Sequence, residues 1–405
     1  MVSKLSWEEL ETLGFAGILW EEALKNDVAG DVQLLGVMQI SKINSTSVLS
    51  VERLDKLLHL FCTTEDTRVA QGIELFLINS ARSMPEIADY LKSEHAHTLI
   101  IAFSDSRDAS SAVVIRSLSL VSRLAKELPQ VFQSLSANFL HTLESKVNAS
   151  QPLLLNNLFE YYSQLSGTSV GSDYVLSRIN FITSLMDSTD AELILPSASN
   201  IFSTLAKECR EKFIALDQHV HIVSALEARR DINGVHLSLA RIVANCLPYI
   251  TQAYPHLVSQ LVPPPYTLIN LSGLAIILSN TEYSSEVEKL VPSDLQERLP
   301  GLLRDPQMFA GAIPIAYNMA GHYWGLGFLG AHPNLIAALV DRTYGDWEQR
   351  ARRYDILQRM VDTDAKSGRT GDHEGLGHWR NIIRDEVARG PGYTEIPLEV
   401  ASEIA

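Results

Sequence analysis

The stretch Ala70-Gln71-Gly72-Ile73-Glu74-Leu75-Phe76-Leu77-Ile78 decides the reading of this 405-residue chain, because its apolar spine returns further along. Ala70, Ile73, Phe76 and Ile78 are matched 42 positions later by Ala112, Ile115, Leu118 and Leu120. A recurrence of about 40 residues is the period of armadillo and HEAT helical repeats. The spine continues through Leu155, Leu158 and Tyr161, then Ala198, Ile201 and Thr204, then Val235, Ser238 and Arg241, with spacings drifting between about 37 and 43.

Within each unit the apolar residues fall at helical spacing, as in Val51, Leu54, Leu57, Leu58 and Phe61. A helix pair of this length cannot bury its own stripe, so neighbours must stack into one core. The spacing predicts an all-α, armadillo/HEAT-like helical-repeat solenoid. Ser6 with Glu9, and Ser293 with Gln296, fit capping boxes at helix starts. No sustained period-two run suggests a strand.

At 46% hydrophobic and 20% charged, the chain is too apolar for disorder and long enough for a large core. Cys62, Cys209 and Cys246 are odd in number and far apart, which fits reduced core thiols in a cytoplasmic protein, with the nucleus as a second setting. The first twenty residues form no secretory h-region, so the sequons at Asn44, Asn148 and Asn270 read as chance. Two stretches, Ile242 to Thr281 and Pro306 to Val340, lack any Asp, Glu, Lys or Arg. Prolines interrupt the first, and Pro314, Pro333 and clustered glycines the second, so neither reads as a membrane span. A net charge of −15 opposes the phosphate neutralisation on which nucleic-acid affinity rests, and favours a protein partner with a basic or mixed surface.

Proline and glycine punctuation suggests three regions: an N-terminal repeat block over 1–262, a C-terminal block over 263–360, and a mobile loop, short helix and tail over 361–405. The loop is Lys366 to Gly377, and the short helix runs from Trp379 to Ala388.

Motifs that tempt an enzymatic reading lack their context. Gly325-Leu-Gly327-Phe-Leu-Gly330 spells a dinucleotide fingerprint, but no strand precedes it. His373 and His378 stand five apart, whereas a zinc-protease helix needs four. His219 and His221, at i and i+2 of a helical stretch, diverge. No catalytic residue, cofactor or metal is expected.

Tyr323-Trp324, Pro333, Leu339-Val340-Asp341-Arg342-Thr343, Tyr354-Asp355-Ile356-Leu357 and Gly390-Pro391-Gly392-Tyr393 occur in the order found near the end of another group of proteins, and Ser117-Leu118-Ser119 is similar to one of its repeat helices. The chain thereby resembles the proteasome non-ATPase regulatory subunit 5 family. The resemblance implies a non-catalytic assembly chaperone of the 26S proteasome regulatory particle base, whose concave face holds the C-terminal domain of one AAA ATPase subunit. Polar residues on the last helix of each repeat, off the core spine, would line that face. Arg116, Ser119, Arg123 and Glu160 meet that condition. The alternative is a generic armadillo/HEAT adaptor in transport or signalling.

Overall fold

The computed structural model describes residues 5–25, 27–43, 49–105, 110–147, 151–186, 191–367 and 376–391, and among them every regular element is helical. The fold is an all-α, armadillo-like helical-repeat solenoid. The chain divides into two compact units, Met1–Cys209 and Arg210–Ala405. The triple proline at Pro263 to Pro265 therefore lies inside the second unit, as the connection between two helices, with a cis peptide between Pro264 and Pro265.

The first unit opens with α1 (Trp7–Thr12), α2 (Phe15–Ile18) and a π-helical turn at Leu19–Ala23. Ser6 and Glu9 form the capping box that the sequence announces. Triplets follow. The first is α3 (Gly30–Ile40), α4 (Val51–Thr63) and α5 (Thr67–Ser83), and the second is α6 (Pro85–Lys92), α7 (Glu94–Ser104) and α8 (Ser110–Glu127). The third is α9 (Pro129–Gln133), α10 (Ala137–Ser145) and α11 (Pro152–Ser166), and the fourth is α12 (Ser169–Ser177), α13 (Ile179–Met186) and α14 (Ala191–Glu208). Each repeat thus holds three helices rather than the pair read from the sequence, and its third helix is the longest. Local chemistry sets these boundaries. Pro85, Pro129 and Pro152 stand at first helical positions, where no amide hydrogen is needed, while Ser50, Asp66, Ser93, Ser136 and Thr168 accept hydrogen bonds from first-turn amides.

Burial shows the true register of the repeat. From Val69 in α5, the positions n, n+1, n+4, n+5, n+7, n+8, n+9, n+11 and n+12 are buried. The same set is buried from Val113 in α8, Leu154 in α11 and Ile194 in α14, at spacings of 44, 41 and 40. Ile73 therefore corresponds to Ser117 and Ile78 to Ser122, whereas Ala112 is exposed and Ile115 half-buried. The 42-residue match slips by two because serines occupy core positions. Buried Ser117 returns its hydroxyl to the Val113 carbonyl at 2.7 Å, so a polar residue sits in the apolar row without an unmet hydrogen bond. The later spine slips likewise: Leu155 corresponds to Leu195, and Thr204 lies half-buried between core positions.

The second unit repeats the plan with α15 (Arg210–Val220), α16 (Ile222–Glu227) and α17 (Asn233–Asn245), then α18 (Leu247–Ala253), α19 (Leu257–Leu261) and α20 (Leu268–Leu278). Next come α21 (Ser284–Glu288), α22 (Leu295–Leu302) and α23 (Phe309–Met319), then α24 (Tyr323–Gly330), α25 (Pro333–Val340) and α26 (Trp347–Ser367), closed by α27 (Trp379–Arg389). The buried set reappears from Val235, although the expected core position Arg241 is exposed. Gln296 does not cap α22. The N-cap is Asp294, which makes no side-chain cap bond, and Gln296 donates to the Phe328 carbonyl at 3.0 Å. His219 and His221 do not share a helix either, because the chain breaks at His221, whose φ of 55° is left-handed, between α15 and α16. The buried Asp217 carboxylate fixes this break by accepting from the Val223 amide at 2.7 Å and from the Tyr249 and Tyr254 hydroxyls at 2.8 and 2.7 Å.

Candidate protein-binding face

The long third helix of each repeat buries two sides and leaves positions n+6 and n+10 outward. In the first unit the n+6 column is Leu75, Ser119, Glu160 and Asn200, and the n+10 column is Asn79, Arg123, Gln164 and Thr204. Three of the four candidate residues fall in these columns, with Ser119 and Glu160 at equivalent positions of adjacent repeats.

The columns are tied together. Buried Glu74 of α5 accepts from the Ser119 hydroxyl at 3.1 Å and from the Arg123 guanidinium Nε at 3.0 Å, both on α8. Burial pushes the Glu74 carboxyl above the ordinary value, opposed by the Arg123 charge and the Ser119 hydrogen bond. Ser122 of α8 donates to Gln164 of α11 at 2.6 Å, and Gln164 donates at 3.1 Å to Glu160. Asn200 of α14 donates to Ser163 of α11 at 2.7 Å.

Arg116 stands apart. It is half-buried and donates at 3.0 Å to the Phe61 carbonyl in the last turn of α4, where a cation meets the negative end of the helix dipole and an orphan carbonyl. Its charge also opposes the burial that pushes the neighbouring Cys62 thiol up to about 12. Arg116 and Ser119 are thus held by the fold, whereas Arg123 and Glu160 keep exposed polar surface. Glu74 and Gln164, which organise the columns, escaped the sequence reading. The available signal was a carboxylate set between Ile73 and Phe76 of the apolar spine.

The corresponding n+6 column of the second unit is Arg241, Ile276, Tyr317 and Gln358. Here the face opens into a cleft of about 810 Å³ lined by Tyr317, Gly321, Asp355, Gln358, Arg359 and Asp362, among others. The Arg359 guanidinium lies 4.2 Å from the Tyr317 ring centroid. Gly321 makes room for it, since a Cβ there would collide with the guanidinium.

The residues that carry the family resemblance knit this unit together. Trp324 donates to Ser284 at 3.1 Å, Arg342 reaches Glu386 at 2.8 Å, and Tyr354 donates to the Val387 carbonyl at 3.2 Å. Pro333 starts α25, and Ile356 and Leu357 are buried. Gly392 and Tyr393 lie outside the described residues.

The glycine-rich run is part of α24, where a Cβ on Gly325 would strike the Met319 carbonyl, so Gly325 serves close packing, while Gly327 borders open space. His373 and Glu374, and most of the expected loop between Lys366 and Gly377, lie outside the described residues, while Lys366 itself is in α26. Among the described residues no cluster of three His, Cys, Asp or Glu side chains could hold a metal, and no helix is long and apolar enough to cross a membrane. Cys62 and Cys246 are buried and Cys209 is half-buried.

No family model matches the chain, and no curated protein matches it. Among solved structures it is similar to an engineered protein at 15% identity and a TM-score of 0.42, over 89% of this chain and 92% of the other. It is also similar to a structure described as APUM23 with its insert region deleted and GGAAUUGACGG, at 11% identity and a TM-score of 0.38, over 96% and 94%.

Proposed function

We propose that this chain is a non-catalytic protein-binding scaffold, and specifically an assembly chaperone of the 26S proteasome regulatory particle base that holds the C-terminal domain of one AAA ATPase subunit. The observation that carries the binding role is the recurrence of outward polar columns on successive long helices, with Arg123 and Glu160 retaining exposed groups. Repeat stacks that share one core bind through such repeated faces. The choice of partner rests on the order of residues from Tyr323 to Tyr393 that resembles the chaperone family, and a net charge of −15 favours a basic or mixed partner surface.

The test is titration of the purified full chain with isolated C-terminal domains of the base ATPases. One of them is expected to bind, and Arg123→Glu combined with Glu160→Lys is expected to weaken it about tenfold or more. Binding of no ATPase domain, or binding indifferent to the double substitution, overturns the assignment to this face.

A further inference from the structure

A second, chemically distinct recess lies in the first unit on the second-helix layer, away from the columns of α5, α8 and α11. It encloses about 690 Å³ between the π-helical turn Leu19–Ala23 with the residues after it, α4 and α7. Its floor is apolar and aromatic, built from Trp20, Leu24, His59, Leu99 and Phe103, with the His59 ring standing edge-on to Phe103 at 4.9 Å. Leu99 and Phe103 are one turn apart on α7 and only half-buried. Its rim carries four carboxylates, Glu21, Asp27, Glu52 and Asp55, against two ammonium groups, Lys25 and Lys56.

Two further features mark the recess. Trp20 is 2% exposed, yet its indole Nε1 has no hydrogen-bond partner, so a buried donor at this wall is unmet. Trp20 also belongs to a π-helical turn, a costly local geometry that is frequent at functional sites.

An apolar floor inside an acidic rim selects its occupant by charge complementarity. We infer that this recess docks a segment of a partner protein carrying one or two bulky apolar side chains flanked by lysine or arginine. The apolar anchors displace water from the aromatic floor, and the basic flanks meet Glu21, Glu52 and Asp27. Lys56 is already bridged to Glu21 at 2.8 Å and to Glu52 at 3.6 Å, so a basic flank competes for carboxylates that the fold has gathered at one edge. An acidic segment would face a rim of its own sign on a chain of net charge −15. The inference does not depend on an ATPase partner, because the recess uses none of the residues of the column face.

The test is fluorescence anisotropy of a labelled synthetic amphipathic helix, with phenylalanine and leucine on one face and lysine on the other, titrated with the full chain. Saturable binding is expected. It should weaken about tenfold or more when the lysines become glutamates, or when the two anchors become serines, and it should fall as salt rises. Glu52→Lys, at an exposed position of α4, should weaken the lysine peptide with circular dichroism unchanged, and Leu99→Ser should weaken it through the floor. Equal binding of all three peptides, or binding indifferent to both substitutions, overturns the proposal. So does self-association of the chain that Leu99→Ser abolishes, since it would assign the recess to a second copy.

Discussion

The two units join their long helices by different chemistry. In the first, the rungs run side chain to side chain: Ser119 and Arg123 to Glu74, Ser122 to Gln164, and Asn200 to Ser163. In the second, the hydrogen bonds run side chain to backbone, beside the stacking of Arg359 on Tyr317. Asn280 donates to the Ala244 carbonyl, Asn318 to Ala275 at 2.7 Å, and the His322 Nε2 meets Leu278 at 2.7 Å. These rungs reach carbonyls near the ends of α17 and α20; the Ala244 and Leu278 carbonyls lie in last turns, where partners within the helix run out, while Ala275 also accepts from the Ser279 amide at 3.0 Å. Such a rung has one acceptable geometry. Rungs between side chains can exchange partners, whereas a rung to a helix-end carbonyl cannot.

The buried carboxylates give the largest test of this contrast. Glu144 is 1% exposed, accepts from the Tyr174 hydroxyl at 2.5 Å, and is bridged by Arg178 at 2.8 Å. Glu144→Ala is expected to cost about 3–5 kcal/mol in urea unfolding, because it strands a partly buried guanidinium. Asp217 accepts from one amide and two hydroxyls, so Asp217→Asn should cost less, about 1–3 kcal/mol, by mismatching one of three donors.

The rungs themselves come next. Asn280→Ala should destabilise by about 1–2 kcal/mol, since it takes away the donor to the Ala244 carbonyl, whereas Asn200→Ala should cost under about 1 kcal/mol because the Ser163 hydroxyl that loses this donor can still donate its own proton. Equal costs would erase the distinction between the units.

The smallest effects are slopes with pH. Burial holds His322 and His236 in the second unit, and His97 in the first, below the ordinary histidine value. Unfolding lets them take up protons, so the stability they confer is present above pH 6.5 and is lost as the pH falls below it. His322→Gln should flatten that fall in the second unit. Glu74 works in the opposite direction. Its raised value means that the folded state holds a proton the unfolded chain has released, so stability falls as pH rises from the ordinary carboxylate range through the raised value. Glu74→Gln should remove this slope while keeping a contact for Ser119.

Much of the architecture could be read from the chain. The helical class, the period of about 40 residues and the Ser6 cap follow from local spacing alone. The three-helix repeat did not, because short first helices such as Pro129–Gln133 span too few residues to show a period. The register slipped where Ser117 and Ser122 replaced apolar core residues. The outward columns were half legible. Outward positions could be chosen by exclusion from the spine, which found Ser119, Arg123 and Glu160, but their ties to Glu74 and Gln164 join residues on different repeats and leave no local trace. Arg116 passed the same exclusion test yet reaches Phe61, a contact only the packing of α8 on α4 creates. The π-helical recess had no sequence signal at all, since its floor combines residues from three separated segments.

Affinity purification of the tagged chain from its own cell extract at mild salt, read by mass spectrometry, tests the central claim most directly. The account predicts enrichment of base ATPase subunits without the proteolytic core. Enrichment of unrelated partners with no proteasomal ATPase would contradict it and leave a repeat adaptor of another pathway.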